Sequence, residues 1–240
     1  MHPAAIGYRS PPLPSYRAAM RFLRCVHAEF LLVLPRLTRT RLGMVLLSLG
    51  ATLVWLSAHG LDPLAAILQA GALGAIVAAV EIVGPEDDRA AFATALTHPT
   101  TSIAVATGRC IGIVLPAAAL ALACAVAVGR HFGTALAGLA TAAAVGGCAM
   151  AVVLLLGNTA ALALFLFMTV AGTIAPERLV ALAQPGVVRL TAASALELGP
   201  ALWHYRDIAT GDLDAVAHAL AWAGLGTLLA SALITRRIHR

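Results

Sequence analysis

An all-α integral membrane protein is the fold class that this sequence predicts, on three observations. Hydrophobic side chains make up 60% of the 240 residues, charged ones only 11%, and the mean hydropathy is +0.90, far beyond a water-soluble domain. Uncharged intervals recur at close to the length with which an apolar helix crosses a hydrocarbon layer. The cations, sixteen arginines and no lysine, fall unevenly along the segments between those intervals.

In chain order, residues 1–41 form an N-terminal segment and 42–240 the membrane body. Over residues 16–34, Tyr16, Ala19, Met20, Phe22, Leu23, Val26, Phe30, Val33 and Leu34 share one helical face and Arg17, Arg21 and Arg24 the other. Pro35 is expected to end this helix. A basic amphipathic helix ahead of a span is expected to lie along the inner leaflet, arginines among anionic headgroups. It either anchors the chain only or also touches a cytoplasmic partner.

Between Arg41 and Asp62 lie 20 uncharged residues, from Pro63 to Val80 there are 18, and Cys110 to Gly129 gives 20. The interval His131 to Pro176 holds 46, enough for two crossings, with a polar break at Gly157-Asn158-Thr159; Ala215 to Thr235 holds 21. The expected spans are therefore six, at about 42–58, 64–84, 104–128, 133–156, 159–175 and 215–235. An even number puts both termini on one side. Twelve arginines fall on that side and four (Arg130, Arg178, Arg189, Arg206) on the other. The positive-inside bias then places both termini in the cytoplasm of a multi-pass protein of the cell membrane. Alanine and glycine dominate the spans, and small residues at Gly108, Gly112, Gly146 and Gly147 let backbones approach closely, which reads as ordinary helix packing.

Two connecting segments are more than connectors. In 84–99, Pro85 at a first helical position is followed by Glu86, Asp87 and Asp88 in the first turn, then Arg89. A helix dipole favours acids there, and Pro99 stops the helix. Phe92 and Leu96 then form an apolar edge on a short cytoplasmic helix, an edge that calls for a partner's groove. The segment 177–214 is long for a loop, and its short apolar runs are read as helices that dip into or cap the outer half of the bilayer.

Residues able to carry chemistry are few. Without lysine there is no phosphate-loop, Schiff-base or kinase-type lysine, so no ATP hydrolysis by a P-loop of this chain's own. Cys25, Cys110, Cys124 and Cys148 form no CxxC pair and read as small core residues. Of the histidines only His218 falls within a span, and no facing pair is evident for a haem. No serine has the setting of a hydrolase nucleophile. Glu81, in the last turn of the second span, and Arg109, near the start of the third, are expected at the same face and within reach of each other. Pro116 is expected to kink the third span and Asn158 to sit at the hairpin bend.

The layout resembles the membrane subunits of ABC-2 type (type V) ABC exporters. The match runs through Glu86-Asp87-Asp88-Arg89, Phe92, Leu96, Pro99 and Gly108-Arg109, and through the ending Ala230-Ser231-Ala232-Leu233-Ile234-Thr235-Arg236-Arg237. The Gly-Thr common in that family's coupling helix is missing here, with Ala93-Thr94 nearby. The resemblance implies a six-span permease subunit that is not itself an enzyme, pairing with a second, identical or homologous permease and with a cytoplasmic ATPase dimer. ATP and Mg would be bound by that ATPase, with no cofactor or metal in this chain and no nucleic acid as partner. Residues 86–98 would be the coupling helix, with Phe92 and Leu96 seated in the ATPase. Similarity to actinobacterial drug-export permeases of the fluoroquinolone type implies amphipathic drugs or lipid-like molecules as substrates. The alternative is an ion-coupled secondary transporter, which needs buried carboxylates and broken helices at mid-membrane.

Overall fold

A computed structural model describes residues 14–39, 41–83, 101–130, 132–170 and 199–238. Among these residues every regular element is helical: α1 (Pro14–Arg39), α2 (Leu42–Ala58), α3 (Pro63–Val83), α4 (Ser102–Ala127), α5 (Phe132–Leu156), α6 (Asn158–Val170), α7 (Leu202–Tyr205), a 3-10 turn (Arg206–Thr210) and α8 (Leu213–Ile238). Four of them, α3, α4, α5 and α8, are long and apolar enough to cross a membrane. Helix α2 has 17 residues and α6, as far as it is described, 13.

Local sequence chemistry accounts for the boundaries. Asp62 Oδ1 accepts the backbone N–H of Leu64 at 3.2 Å and Pro63 follows as the first helical residue, a side-chain cap ahead of a position where the missing N–H costs nothing. Helices α5 and α6 part at Gly157, whose φ of +83° only glycine adopts readily. Helix α4 passes through Pro116 unbroken. Helix α1 likewise runs past Pro35 to Arg39, which corrects the expected end at that proline. A proline removes a single intrahelical hydrogen bond, and Pro35 lies on the exposed side of α1, where the freed Leu31 carbonyl is not sealed inside the protein.

Helix α3 is the axis of the bundle. Of its most apolar stretch 83% is buried inside the protein, against 22% for α8. It is packed by α2, α4, α5 and α6, while α8 lies against α5 and α4, and α1 against α4. A helix made largely of Ala, Gly, Ile and Leu can be enclosed this way because small side chains bring backbones together. A Cβ on Gly71 would overlap the carbonyl oxygen of Gly138, and one on Gly147 would lie 2.7 Å from the Ala223 carbonyl oxygen. The glycines of α4 and α5 thus serve contacts within the chain.

The α5–α8 crossing predicts mutations of opposite sign. A Cβ on Gly226 would overlap the Gly147 backbone, whereas one on Gly224 meets nothing within 4 Å. Gly226→Ala is therefore expected to destabilise by about 1–3 kcal/mol through overpacking. Gly224→Ala is expected to gain about 0.5–1 kcal/mol in helix propensity. Thermal unfolding in detergent checks both, and equal shifts would argue against this crossing.

Candidate functional site

Two polar clusters lie at opposite ends of the bundle. The first holds α1 against the start of α4. Gly108 and Gly112 leave a notch in α4: a Cβ on Gly108 would lie 2.8 Å from Glu29 Cβ and 2.9 Å from the Val26 carbonyl oxygen, and one on Gly112 2.6 Å from Val33 Cγ1. Between those glycines Arg109 Nε donates to Glu29 Oε1 at 2.9 Å, with side chains only 4% and 7% exposed. Taking both charges out of water is costly, so the pair survives through its geometry and the helix–helix contact around it.

The sequence expectation set Glu81 beside Arg109; the contact described for Arg109 is with Glu29. Glu81 is half-buried in the last turn of α3, and no ion pair between it and Arg109 occurs among the described residues. The closer partner comes from α1, which the glycine notch brings onto α4. Glu29 was readable in the sequence: it is spaced three residues after Val26 and four before Val33, an acid within the apolar stripe. An acid in that position needs a cation on the surface that the stripe covers.

Arg21 and Arg24 are exposed on the other face of α1, and Arg17 belongs to its first turns. The same end of α4 is also tied to α8: Ser102 Oγ lies 2.9 Å from Thr235 Oγ1 and 3.1 Å from Ser231 Oγ. Helix α4 is about 39 Å long, roughly 9 Å more than a hydrocarbon layer, and Arg109 stands about 10 Å from its start. The ion pair can therefore sit at a membrane boundary without entering the apolar centre. Glu86, Asp87, Asp88, Arg89, Phe92 and Leu96 lie outside the described residues, as does 177–198 of the long connecting segment.

At the far end, α7 and the 3-10 turn pack on α5 and α8 through buried Leu202, Tyr205 and Ile208. Arg206 pairs with Asp62 at the α2–α3 corner. Gly211, with φ of +95°, turns the chain back into α8. This fold-back brings together two histidines that the sequence gave no reason to pair: the rings of His204 and His218 lie 5.5 Å apart, edge to face. Trp222 Nε1 donates to His218 Nε2 at 3.1 Å, which leaves the ring proton on Nδ1. That Nδ1, Trp203 Nε1 and the Tyr205 hydroxyl are buried without a hydrogen-bond partner among the described residues. Burial pushes the Tyr205 phenol above its usual range, so it stays protonated.

No family model, no curated protein and no solved structure matches this chain. The class that the fold defines is an all-helical protein with four helices long and apolar enough to cross a membrane, carrying a buried ion pair where its N-terminal helix docks.

Proposed function

We propose that the chain is a permease subunit of an ATP-driven exporter of the ABC-2 type, worked by an ATPase made separately. In this reading α2 and the α6 region complete six crossings, both termini are cytoplasmic, and residues 86–98 form the coupling helix. A second permease copy or homologue completes the path, and amphipathic drugs or lipid-like molecules are the cargo.

The observation that carries the reading is the docking of α1 on α4 through Glu29 and Arg109. The segment 84–100 runs directly into α4, and Arg109 lies seven residues after Ser102. A force applied to that segment would enter α4 beside the α1 contact and the Ser102–Ser231–Thr235 hydroxyls. It would then move α4, α1 and α8 as a unit. The ion-coupled alternative gains nothing comparable: among the described residues the buried carboxylate is Glu29, already paired and outside the four candidate spans.

The test is co-expression with a candidate ABC ATPase subunit from the same genome, followed by reconstitution in lipid nanodiscs. A stable complex whose ATP turnover rises above that of the free ATPase is expected. Solute movement by the purified chain alone down an ion gradient would overturn the proposal.

A further inference from the structure

The geometry points to a divalent-metal site of zinc type at the far end of the bundle, formed by His204 of α7, Asp207 of the 3-10 turn and Asp212 at the start of α8. One ligand atom from each of the three residues lies within 4.8 Å of the other two. Three protein donors converging from α7, the 3-10 turn and the start of α8, one nitrogen and two carboxylates, are the set that borderline ions such as Zn²⁺ accept, with water filling the remaining position. An all-oxygen cage of six to eight ligands, which calcium prefers, is not what this set offers.

Two features distinguish the trio from a chance cluster of surface acids. First, its members do not satisfy one another: His204 Nδ1 stands 3.9 Å from the nearest Asp207 oxygen, beyond hydrogen-bond length. Second, among the described residues no guanidinium pairs with the two carboxylates, and the neighbouring Arg206 is committed to Asp62. A cation between the three would remove the like-charge repulsion.

The donors need little movement to ligate. Tetrahedral Zn²⁺ with bonds of about 2.0–2.2 Å places its ligands roughly 3.3 Å apart. Rotamer changes of the half-exposed His204 and the exposed Asp207 can close the difference. Asp212 already has one oxygen engaged, since Oδ1 accepts the Asp214 backbone N–H at 2.9 Å; the other is free to ligate. The turn at Gly211 fixes the approach, with the Asp212 backbone N–H donating to the Asp207 carbonyl at 3.1 Å. A bound ion would clamp the 3-10 turn to α8 beside the His204–His218 contact. Protons compete with the metal for imidazole and carboxylates, so occupancy falls as pH falls.

The experiment uses the full chain, purified in detergent and stripped with a chelator, with Co²⁺ as probe. Wild type is expected to bind one Co²⁺ per chain with a visible d–d band that Zn²⁺ displaces, and Zn²⁺ is expected to raise its Tm. His204→Ala abolishes the band, and Asp207→Asn and Asp212→Asn each weaken binding at least tenfold. Asp212→Asn tests the charge without removing the helix cap, which asparagine also supplies. Asp214→Asn leaves binding unchanged. Absence of a saturable band in wild type, wild-type affinity in the Asp207→Asn and Asp212→Asn variants, or a thiolate-to-cobalt charge-transfer band from the cysteines would each overturn the site.

Discussion

Glu29→Ala is expected to destabilise the protein by about 3–5 kcal/mol, among the largest single-residue effects that the described structure supports. The loss combines the side-chain atoms removed from the buried α1–α4 contact with the cost to the Arg109 guanidinium, only 4% exposed, of losing the Glu29 carboxylate. Arg109→Ala is expected to cost a similar amount, since it strands Glu29 instead. The double variant Glu29→Leu/Arg109→Leu is expected to regain most of the loss, because two apolar side chains in the α1–α4 contact carry no desolvation cost. Thermal unfolding of the four proteins in one detergent checks this order of stabilities. Wild-type midpoints for both single variants would mean that α1 does not depend on the pair.

The helix boundaries were readable because charge punctuates them. Arg41 and Asp62 bracket α2, expected at 42–58 and observed at Leu42–Ala58. The expected 64–84, 104–128, 133–156 and 215–235 correspond to Pro63–Val83, Ser102–Ala127, Phe132–Leu156 and Leu213–Ile238. A helix that must keep charges out of lipid carries its ends in its sequence.

Contacts between helices were less readable, because the same small residues fill every crossing. Gly108 and Gly112 announce a close approach without saying what approaches, and α1 fills that notch. Arg109 announces the need for a counter-charge, and Glu81 stands nearer to it in sequence than Glu29 does. Glu29, eighty residues away, fits because its helix docks there. His204 and His218 illustrate the same limit: one lies in a connecting segment and the other in a span, and only the turn at Gly211 makes them neighbours.

Phe92→Asp and Leu96→Asp are expected to abolish the stimulation of a partner ATPase while leaving the chain folded and in the membrane. Both residues lie outside the described structure, and the expectation rests on their spacing: four residues apart behind Pro85 and three acids, they would share one edge of a helix in the proposed reading. An edge side chain of this size seated in a groove contributes about 1.5–3 kcal/mol of burial, or roughly 10- to 150-fold in affinity. A carboxylate in its place adds the cost of desolvating a charge, so each single variant suffices to release the contact. Phe92→Leu keeps an apolar edge and is expected to retain most of the stimulation. Insertion is unaffected in all of them, because it depends on the apolar helices rather than on the connecting segment. The pattern separates a loss of stability from a loss of the proposed coupling. Glu29→Ala would weaken the chain's own stability, whereas Phe92→Asp would leave the unfolding midpoint alone and abolish only the response to the ATPase. Retained co-purification and full ATP turnover in both aspartate variants would remove residues 86–98 from the interface, and with them the mechanical link from ATP to α4.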